Sequence, residues 1–459
     1  MGETAEVVIC GAGIAGLAAA HELAVRRSIR DVCIVDERAP FTLTSDKSTE
    51  CYRNFWPGPG DEMVALMNRS IEILDDLARE SGNRFQLNRR GYLYATGDPE
   101  RVATLRRFAE EPTALGAGPL RVHSGAPSDP DYLPAPSAGF DDLPTGADLF
   151  LDGAAIHRHF PYLADETVAA VHARRCGWLD AQQLGMYLLE RSLAHGARLV
   201  VGRIESVDTR GGRVREVRVA TPTGAVAIGT PRFLDAAGPY VGPIARLLGV
   251  ELPVFSELHL KIAFHDRLGA IPRGAPLLIW TDAVALPWSE EERAMLGESA
   301  EARRLLDPFP AGVHARPEGA LDSDSVLLLW TYHTETVEVE FPFEAEPNHA
   351  EIAVRGMSRM LPALRAYFGR FPRCVVDGGY YTKTRENRFL AGPLPVTGAY
   401  VLGALSGYGI MAACGAAELL ATHVTGGPLP RHAAAFRLER YDDPDYRKRI
   451  ESWGFTGQL

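Results

Sequence analysis

The sequence predicts a mixed α/β (α+β) protein, in which a parallel, helix-flanked sheet is joined to a second, antiparallel β domain. Three observations carry that expectation. The chain opens with the apolar run EVVIC, passes at once through GAGIAG and continues as LAAAHELAV. Near its other end a second glycine-rich turn, GALSGYGIM (403–411), opens into AACGAAELLATHV. Between them, residues 251–345 are dominated by runs of strand character: ELHLKIAFHD, APLLIWTD and SVLLLWTYHTETVEVEF.

The first turn has a physical reading. Residues 6–10 are β-branched and apolar, as in a buried parallel strand. Gly11 then permits a tight turn, Gly13 lets a diphosphate approach the backbone, and Gly16 lets helix and strand pack closely. The N–H groups around Ala12, Ile14 and Ala15, at the helix start, are placed to receive the anion. A second strand, DVCIVDER, ends in Asp36 and Glu37, and Glu37 follows Gly16 by 21 residues. An acid at that distance suits the ribose hydroxyls of an adenosine. Glu37, directly before Arg38, is the preferred candidate over Asp36. Strand, turn, helix, strand and acid in order argue against an unliganded turn, but do not separate NAD from FAD.

Composition narrows the partners. The 459 residues are 46% hydrophobic and 23% charged, ordinary for a globular protein. A net charge of -11 disfavours nucleic acid or an anionic membrane. The six cysteines, at 10, 33, 51, 176, 374 and 414, form no CxxC and no Cys/His cluster. Neither a disulfide framework nor a metal site is expected, and a reducing cytoplasm is. No apolar run approaches the ~18 residues of a membrane span, and the first apolar stretch is unlike a signal peptide. Helices are expected within EMVALMNRSIEILDDLARESG and GWLDAQQLGMYLLERSLAHGA, and a strand at GYLYAT (91–96). Residues 97–150 read as irregular with one helix near 99–110.

Taken together, these segments resemble the FAD-dependent amine and amino-acid oxidases (DAO family) typified by sarcosine oxidase, glycine oxidase and D-amino-acid oxidase. GAGIAG with Glu37 is similar to that family's ADP-binding unit. VVGRIESV (200–207), with Ile204, resembles its strand against adenine, and FLDAAGPYV (233–241), with Ala237 and Gly238, the later turn that closes the site. YYTKTRENRFLAG (380–392) and GALSGYGIM resemble its carboxyl-terminal segment. The resemblance implies a Rossmann-type, glutathione-reductase-like FAD domain from residues 1–90, 165–245 and 376–445. A substrate domain with an antiparallel sheet would take 91–164 and 246–375, leaving 446–459 as a peripheral tail. It implies oxidation of a C–N bond in a small amine or amino-acid-like substrate, with O2 as acceptor and H2O2 as product. A dehydrogenase acting on a 2-hydroxy acid or amine, or a non-catalytic flavin-binding protein, are the alternatives. Oligomeric state is left open.

The second turn then acquires a role. Its helix start would offer backbone N–H groups and a positive dipole end to a flavin ring, with Gly403, Gly407 and Gly409 letting the chain come close and Tyr408, Ile410 and Met411 beside them. Ser48, Thr49 and Arg53, in STECYRNF, resemble the family's flavin-side loop, and Arg53 is also suited to a substrate carboxylate. Alternation in ELHLKIAFHD puts His259 and Lys261 on one strand face. Lys261 is the candidate for the family's oxygen-promoting lysine, against a solvated edge face. Tyr381, Lys383 and Arg385 alternate within YYTKTREN, and Trp330, Tyr332 and His333 are candidates for the pocket wall. Two departures stand out. The family's covalent flavin link uses a cysteine where this chain has Gly379, so the FAD is expected to be non-covalent, and nothing in the spacing of Cys51 points to a link. Sarcosine oxidase carries a lysine at the position of Met411, which argues against a small N-methyl amino acid: either the substrate is a larger or more apolar amine, or its carboxylate is held elsewhere, by Arg53 or Arg385.

Overall fold

The computed structural model describes residues 3–453. Its central sheet has six strands, in the spatial order Arg198–Val201, Val32–Asp36, Val7–Cys10, Phe233–Asp235, Ala399–Gly403 and Leu390–Pro393. The first five run parallel and the last antiparallel to its neighbour. Val7–Cys10 and Phe233–Asp235 are buried throughout, which explains the unbroken apolar run of the first. The helix Ile14–His21 packs on the helix Gly409–Thr425 and on Ala181–Ala194, so the two glycine-rich turns converge although nearly the whole chain separates them.

Gly202 marks the point where the chain leaves this sheet. A side chain there would meet the Val219 side chain at 2.6 Å and the Ala220 carbonyl oxygen at 2.7 Å. The strand Arg203–Arg210 therefore joins a separate four-stranded sheet with Arg213–Thr221, Gly224–Gly229 and Glu3–Thr4.

The second domain is built on a nine-stranded sheet, in the order Cys374–Lys383, Phe255–His265, Ser325–Leu329, His314–Pro317, Leu277–Trp280, Tyr92–Thr96, Ala169–Ala173, Ala147–Phe150 and Leu120–His123. It is mostly antiparallel, with parallel pairing at two junctions. Several sequence expectations are corrected here. Residues 97–150 hold two strands of the sheet besides the helix Val102–Pro112. The run TETVEVEF forms no strand, although the Val337 N–H donates to the Ser256 carbonyl at 2.9 Å. Ala169–Ala173 and Cys374–Lys383 belong to the large sheet, although the sequence boundaries placed 165–245 and 376–445 with the first domain. The residues of a single strand do not encode which sheet it joins. Among the described residues no helix is long and apolar enough to cross a membrane.

The expected tail is not wholly peripheral. Glu386 is completely buried, and its Oε1 accepts hydrogen bonds from Arg440 (2.8 Å), Tyr441 (2.6 Å) and Tyr446 (3.0 Å), tying residues 438–446 to the core. Residues 454–459 of that tail lie outside the described residues. Burial works to raise the Glu386 carboxyl pKa, but Arg440 and Tyr441 outweigh it and hold it below the usual range. Its stabilisation is thus present above the ordinary glutamate pKa and lost as pH falls through the depressed one. E386A strands a buried guanidinium and is expected to cost about 3–5 kcal/mol, read as a lower urea midpoint at pH 7.

Candidate functional site

Two cavities meet where the turns converge. The first, about 880 Å³, runs from Gly11, Gly13, Ile14 and Ala15 past Asp36, Ala237 and Gly238 to Gly403, Gly407, Gly409 and Ile410. The second, about 500 Å³, lies between the large sheet, the segment Ser48–Arg53 and the turn before the helix Gly409–Thr425. They share Ser48, Tyr381 and Gly407, so they form one continuous site.

Glycines let the backbone beside the first cavity close up tightly. A Cβ on Gly16 would sit 1.9 Å from the Gly11 carbonyl oxygen, and one on Gly11, at φ +107°, would sit 2.4 Å from the Ala236 oxygen. A Cβ on Gly13 would approach Ser45 Oγ at 3.1 Å. The Ala12 N–H donates to Asp36 Oδ2 at 2.7 Å, and the Ile14 N–H to Ser45 Oγ at 3.0 Å. At the far end Ala404 and Ser406 both take positive φ, and Ser406 Oγ is buried without a hydrogen-bond partner. The N–H groups of Gly409, Ile410 and Met411 stand at the start of a 17-residue helix, where no earlier turn accepts them. A bare glycine floor, helix N-termini at both ends and an unsatisfied hydroxyl fit an elongated, anionic dinucleotide.

Not every expected cofactor residue lines this space. Glu37 does not: Asp36, at the last position of its strand, lines the cavity, while Glu37 is half-exposed and pairs with Arg38 at 3.8 Å. Neither Glu37 nor Arg38 faces the cavity; Arg38 lies 5.6 Å over the Phe341 ring. Ile204 is buried in the core under the four-stranded sheet and is absent from the wall. The sequence reading passed over Asp36 and Ser45, and the Asp36 signal was its position as the strand's final residue.

The wall of the second cavity includes Ser48, Thr49, Arg53, Tyr381, Tyr408 and Met411, as expected, and also Glu50, Cys51, Tyr92, Leu277, His314, Leu329 and Thr331. Arg53 is 3% exposed, donates to the Tyr94 hydroxyl at 2.8 Å and lies 4.9 Å over the Trp56 ring. Burial lowers the His314 pKa to about 4. Its Nδ1 lies 2.9 Å from the Gly312 carbonyl, so it is a neutral imidazole that donates there and keeps an Nε2 lone pair. Burial pushes the Cys51 thiol up, and its Sγ donates to the Thr49 carbonyl at 3.1 Å. It is a thiol rather than a nucleophilic thiolate. A Cβ at Gly379 would already press on Thr44 Cα (3.0 Å) and Lys47 Cβ (3.1 Å).

Seven residues expected at the pocket are elsewhere. Lys261 Nζ donates to the Asp46 and Ser48 carbonyls at 3.0 and 3.1 Å, from behind the loop that lines the cavity. Lys383 is buried, 2.6 Å from Glu257 Oε2, which is also 2.9 Å from His259 Nε2. His259 supports the pocket only indirectly, with its ring 4.6 Å from that of Tyr381. Arg385 is exposed, because the strand ends at Lys383. Trp330 is a core residue that donates to the Pro310 carbonyl at 3.0 Å. Tyr332 and His333 instead join Glu346 and His349, with the Tyr332 hydroxyl donating to Glu346 at 2.5 Å.

This arrangement has counterparts. The family model "FAD dependent oxidoreductase" (DAO) matches residues 6–423. No curated protein matches the chain in sequence. Among solved structures, L-proline dehydrogenase from P. horikoshii is similar at TM-score 0.71 and 18% identity, covering 98% of this chain and 99% of that one. Glycine oxidase from Geobacillus kaustophilus follows at 0.70 and 15%, covering 95% and 98%. Iminodiacetate oxidase from Chelativorans sp. BNC1 gives 0.68 and 18%, covering 94% and 98%. At these identities the structures share the fold; with the family match over nearly the whole chain, the protein belongs to the DAO family of FAD-dependent oxidoreductases.

Proposed function

We propose that the chain oxidises a C–N bond in a small amine or amino-acid-like substrate, giving an imine that water hydrolyses. The observation that carries this is the buried Arg53 guanidinium on a wall otherwise made largely of Leu277, Leu329, Met411, Tyr92 and Tyr381. A fixed cation beside these apolar side chains orients a carboxylate and leaves the rest of the ligand to other contacts. The names of the similar structures support the reading, since glycine, proline and iminodiacetate each carry an amine and a carboxylate.

FAD, when bound, supplies a two-electron hydride acceptor. In this reading Gly11 to Ala15 hold its diphosphate, Asp36 its ribose, and Gly407 to Met411 offer N–H groups and a helix dipole to its ring. Tyr381 closes the junction: a Cβ at Gly407 would lie 2.3 Å from its ring, so turn and aromatic are in contact. The FAD is held without a covalent bond, and Arg53 takes the substrate carboxylate in place of the exposed Arg385.

Oxygen as acceptor, with hydrogen peroxide as product, is the first form of the proposal. A second form, a dehydrogenase passing electrons to another acceptor, draws on one observation. Among the described residues no lysine lines the second cavity, and Lys261 is tied to two carbonyls.

Anaerobic mixing with a panel of amines and amino acids is expected to bleach the flavin absorbance with at least one of them; a flavin that stays oxidised throughout contradicts the proposal. Admitting air then separates the two forms, since stoichiometric peroxide marks the oxidase and its absence, with dye reduction retained, the dehydrogenase. R53M is expected to narrow the kcat/KM preference for a carboxylate-bearing substrate over its decarboxylated analogue by about 10- to 100-fold, the worth of a charge-assisted hydrogen bond. An unchanged ratio places the carboxylate elsewhere.

A further inference from the structure

Glu50 is the one carboxylate on the wall of the second cavity among the described residues, and sequence reading passed over it. It stands just before the strand Cys51–Arg53 with φ +59°, a left-handed conformation uncommon for a residue with a side chain. Its Oε2 accepts from the Ala181 N–H at 3.4 Å, at the start of the helix Ala181–Ala194, and lies 3.5 Å from Arg316. Its Oε1 accepts no hydrogen bond from the described residues. Arg316 is itself divided: it contacts Glu318 and donates Nε–H to the Thr49 carbonyl at 2.6 Å. The charged groups facing Glu50 are therefore Arg316 and Glu318, from the His314–Pro317 strand and its end, and Lys261, from Phe255–His265.

Burial pushes the Glu50 carboxyl up to about 7, against the attraction of Arg316. No other group on this wall is a comparable base. His314 titrates near 4 and burial pushes Tyr92, Tyr381 and Tyr408 up, so these phenols stay protonated. A base matched to neutral pH has a clear use in this chemistry. At pH 7 most amines are ammonium ions, and an ammonium nitrogen has no lone pair with which to form C=N. An amine with the basicity of a lysine side chain is less than about 0.1% neutral there.

We propose that the substrate enters the second cavity as its ammonium ion and that Glu50 is its counter-ion and proton acceptor. One N–H bond breaks and one O–H bond forms on the Glu50 carboxylate, leaving the amine neutral with its lone pair free. No electrons change hands in this step, and the proton passes from Glu50 to solvent after product leaves. The inference rests on the C–N reading above and adds the protonation state in which the substrate is recognised.

The test uses the FAD-loaded enzyme and an amine that bleaches it. In the wild type the anaerobic bleaching rate is expected to rise with pH through a midpoint near 7. In E50Q, which keeps the shape and the acceptor for Ala181, that limb is expected to move to the substrate's own ammonium pKa. For an amine of lysine-like basicity the rate then falls ~1,000-fold at pH 7 and converges with the wild type in strong base. E50D, which keeps the carboxylate, retains the wild-type limb. A uniform loss in E50Q with an unmoved profile indicates a structural role and overturns the proposal. Failure of every amine to bleach the wild type overturns the C–N reading first, so the two failures are distinguishable.

A second measurement needs no variant. An analogue of the bleaching amine is used, with methyl in place of hydrogen on the carbon next to nitrogen, and its binding is measured calorimetrically in buffers of different ionisation heat. Close to one proton is expected to be released per ligand at pH 6 and close to none at pH 8, because the complex holds the same protons whether Glu50 or the amine carries the last one. Equal release at both pH values overturns the proposal.

Discussion

Gly16 lies against the Gly11 carbonyl so closely that a single added carbon would sit 1.9 Å from the oxygen. The rest of the site depends on that contact. It lets the helix Ile14–His21 press on its strand, which aims the helix start into the first cavity. The same helix is the surface on which Gly409–Thr425 packs, so the second turn is brought to the far end of the same cavity. There the pattern repeats, with Gly407 allowing the turn to touch the Tyr381 ring. The two turns act as opposite ends of one cradle, and the second cavity opens at their junction.

The second cavity is chemically sparse. Its charges are Arg53 and Glu50, and its imidazole is neutral at pH 7 because burial disfavours the cation. Other buried ions nearby are committed elsewhere. Lys383 and His259 share the Glu257 carboxylate, and Lys47 is 2.9 Å from Asp377. These pairs hold the strands that carry Tyr381 and the loop that carries Ser48, so their role is to position the wall. Met411 adds apolar surface to the same wall.

The first turn was legible in the sequence because its requirements are local: three glycines, a strand before and a helix after. The acid was legible only as a pair. Successive strand residues point to opposite sides, and Asp36, still on the strand, turns to the Ala12 N–H while Glu37 does not. Alternation likewise put His259 and Lys261 on one face but did not reveal what that face meets. Their strand is interior to the sheet, and the face meets buried partners: His259 is 1% exposed against Glu257, and Lys261 is half-buried against two carbonyls. His314, Leu277, Leu329 and Thr331 were invisible for a different reason. Each reaches the cavity from a nine-stranded sheet assembled from segments far apart in the chain, Thr331 from just beyond the end of the strand Ser325–Leu329, and no local pattern carries that register. Glu50 was hidden in a loop whose left-handed backbone has no glycine to announce it.

The account stands or falls on one continuous site formed by two distant turns. A crystal structure of the FAD-loaded chain tests it most directly. The account expects the diphosphate at Gly11 to Ala15 and the ring system at the junction bordered by Ser48, Tyr381 and Gly407, with Glu50 and Arg53 on the open side of the ring. A ring lying away from that junction, or one that fills the second cavity and leaves no space beside Arg53, would contradict it.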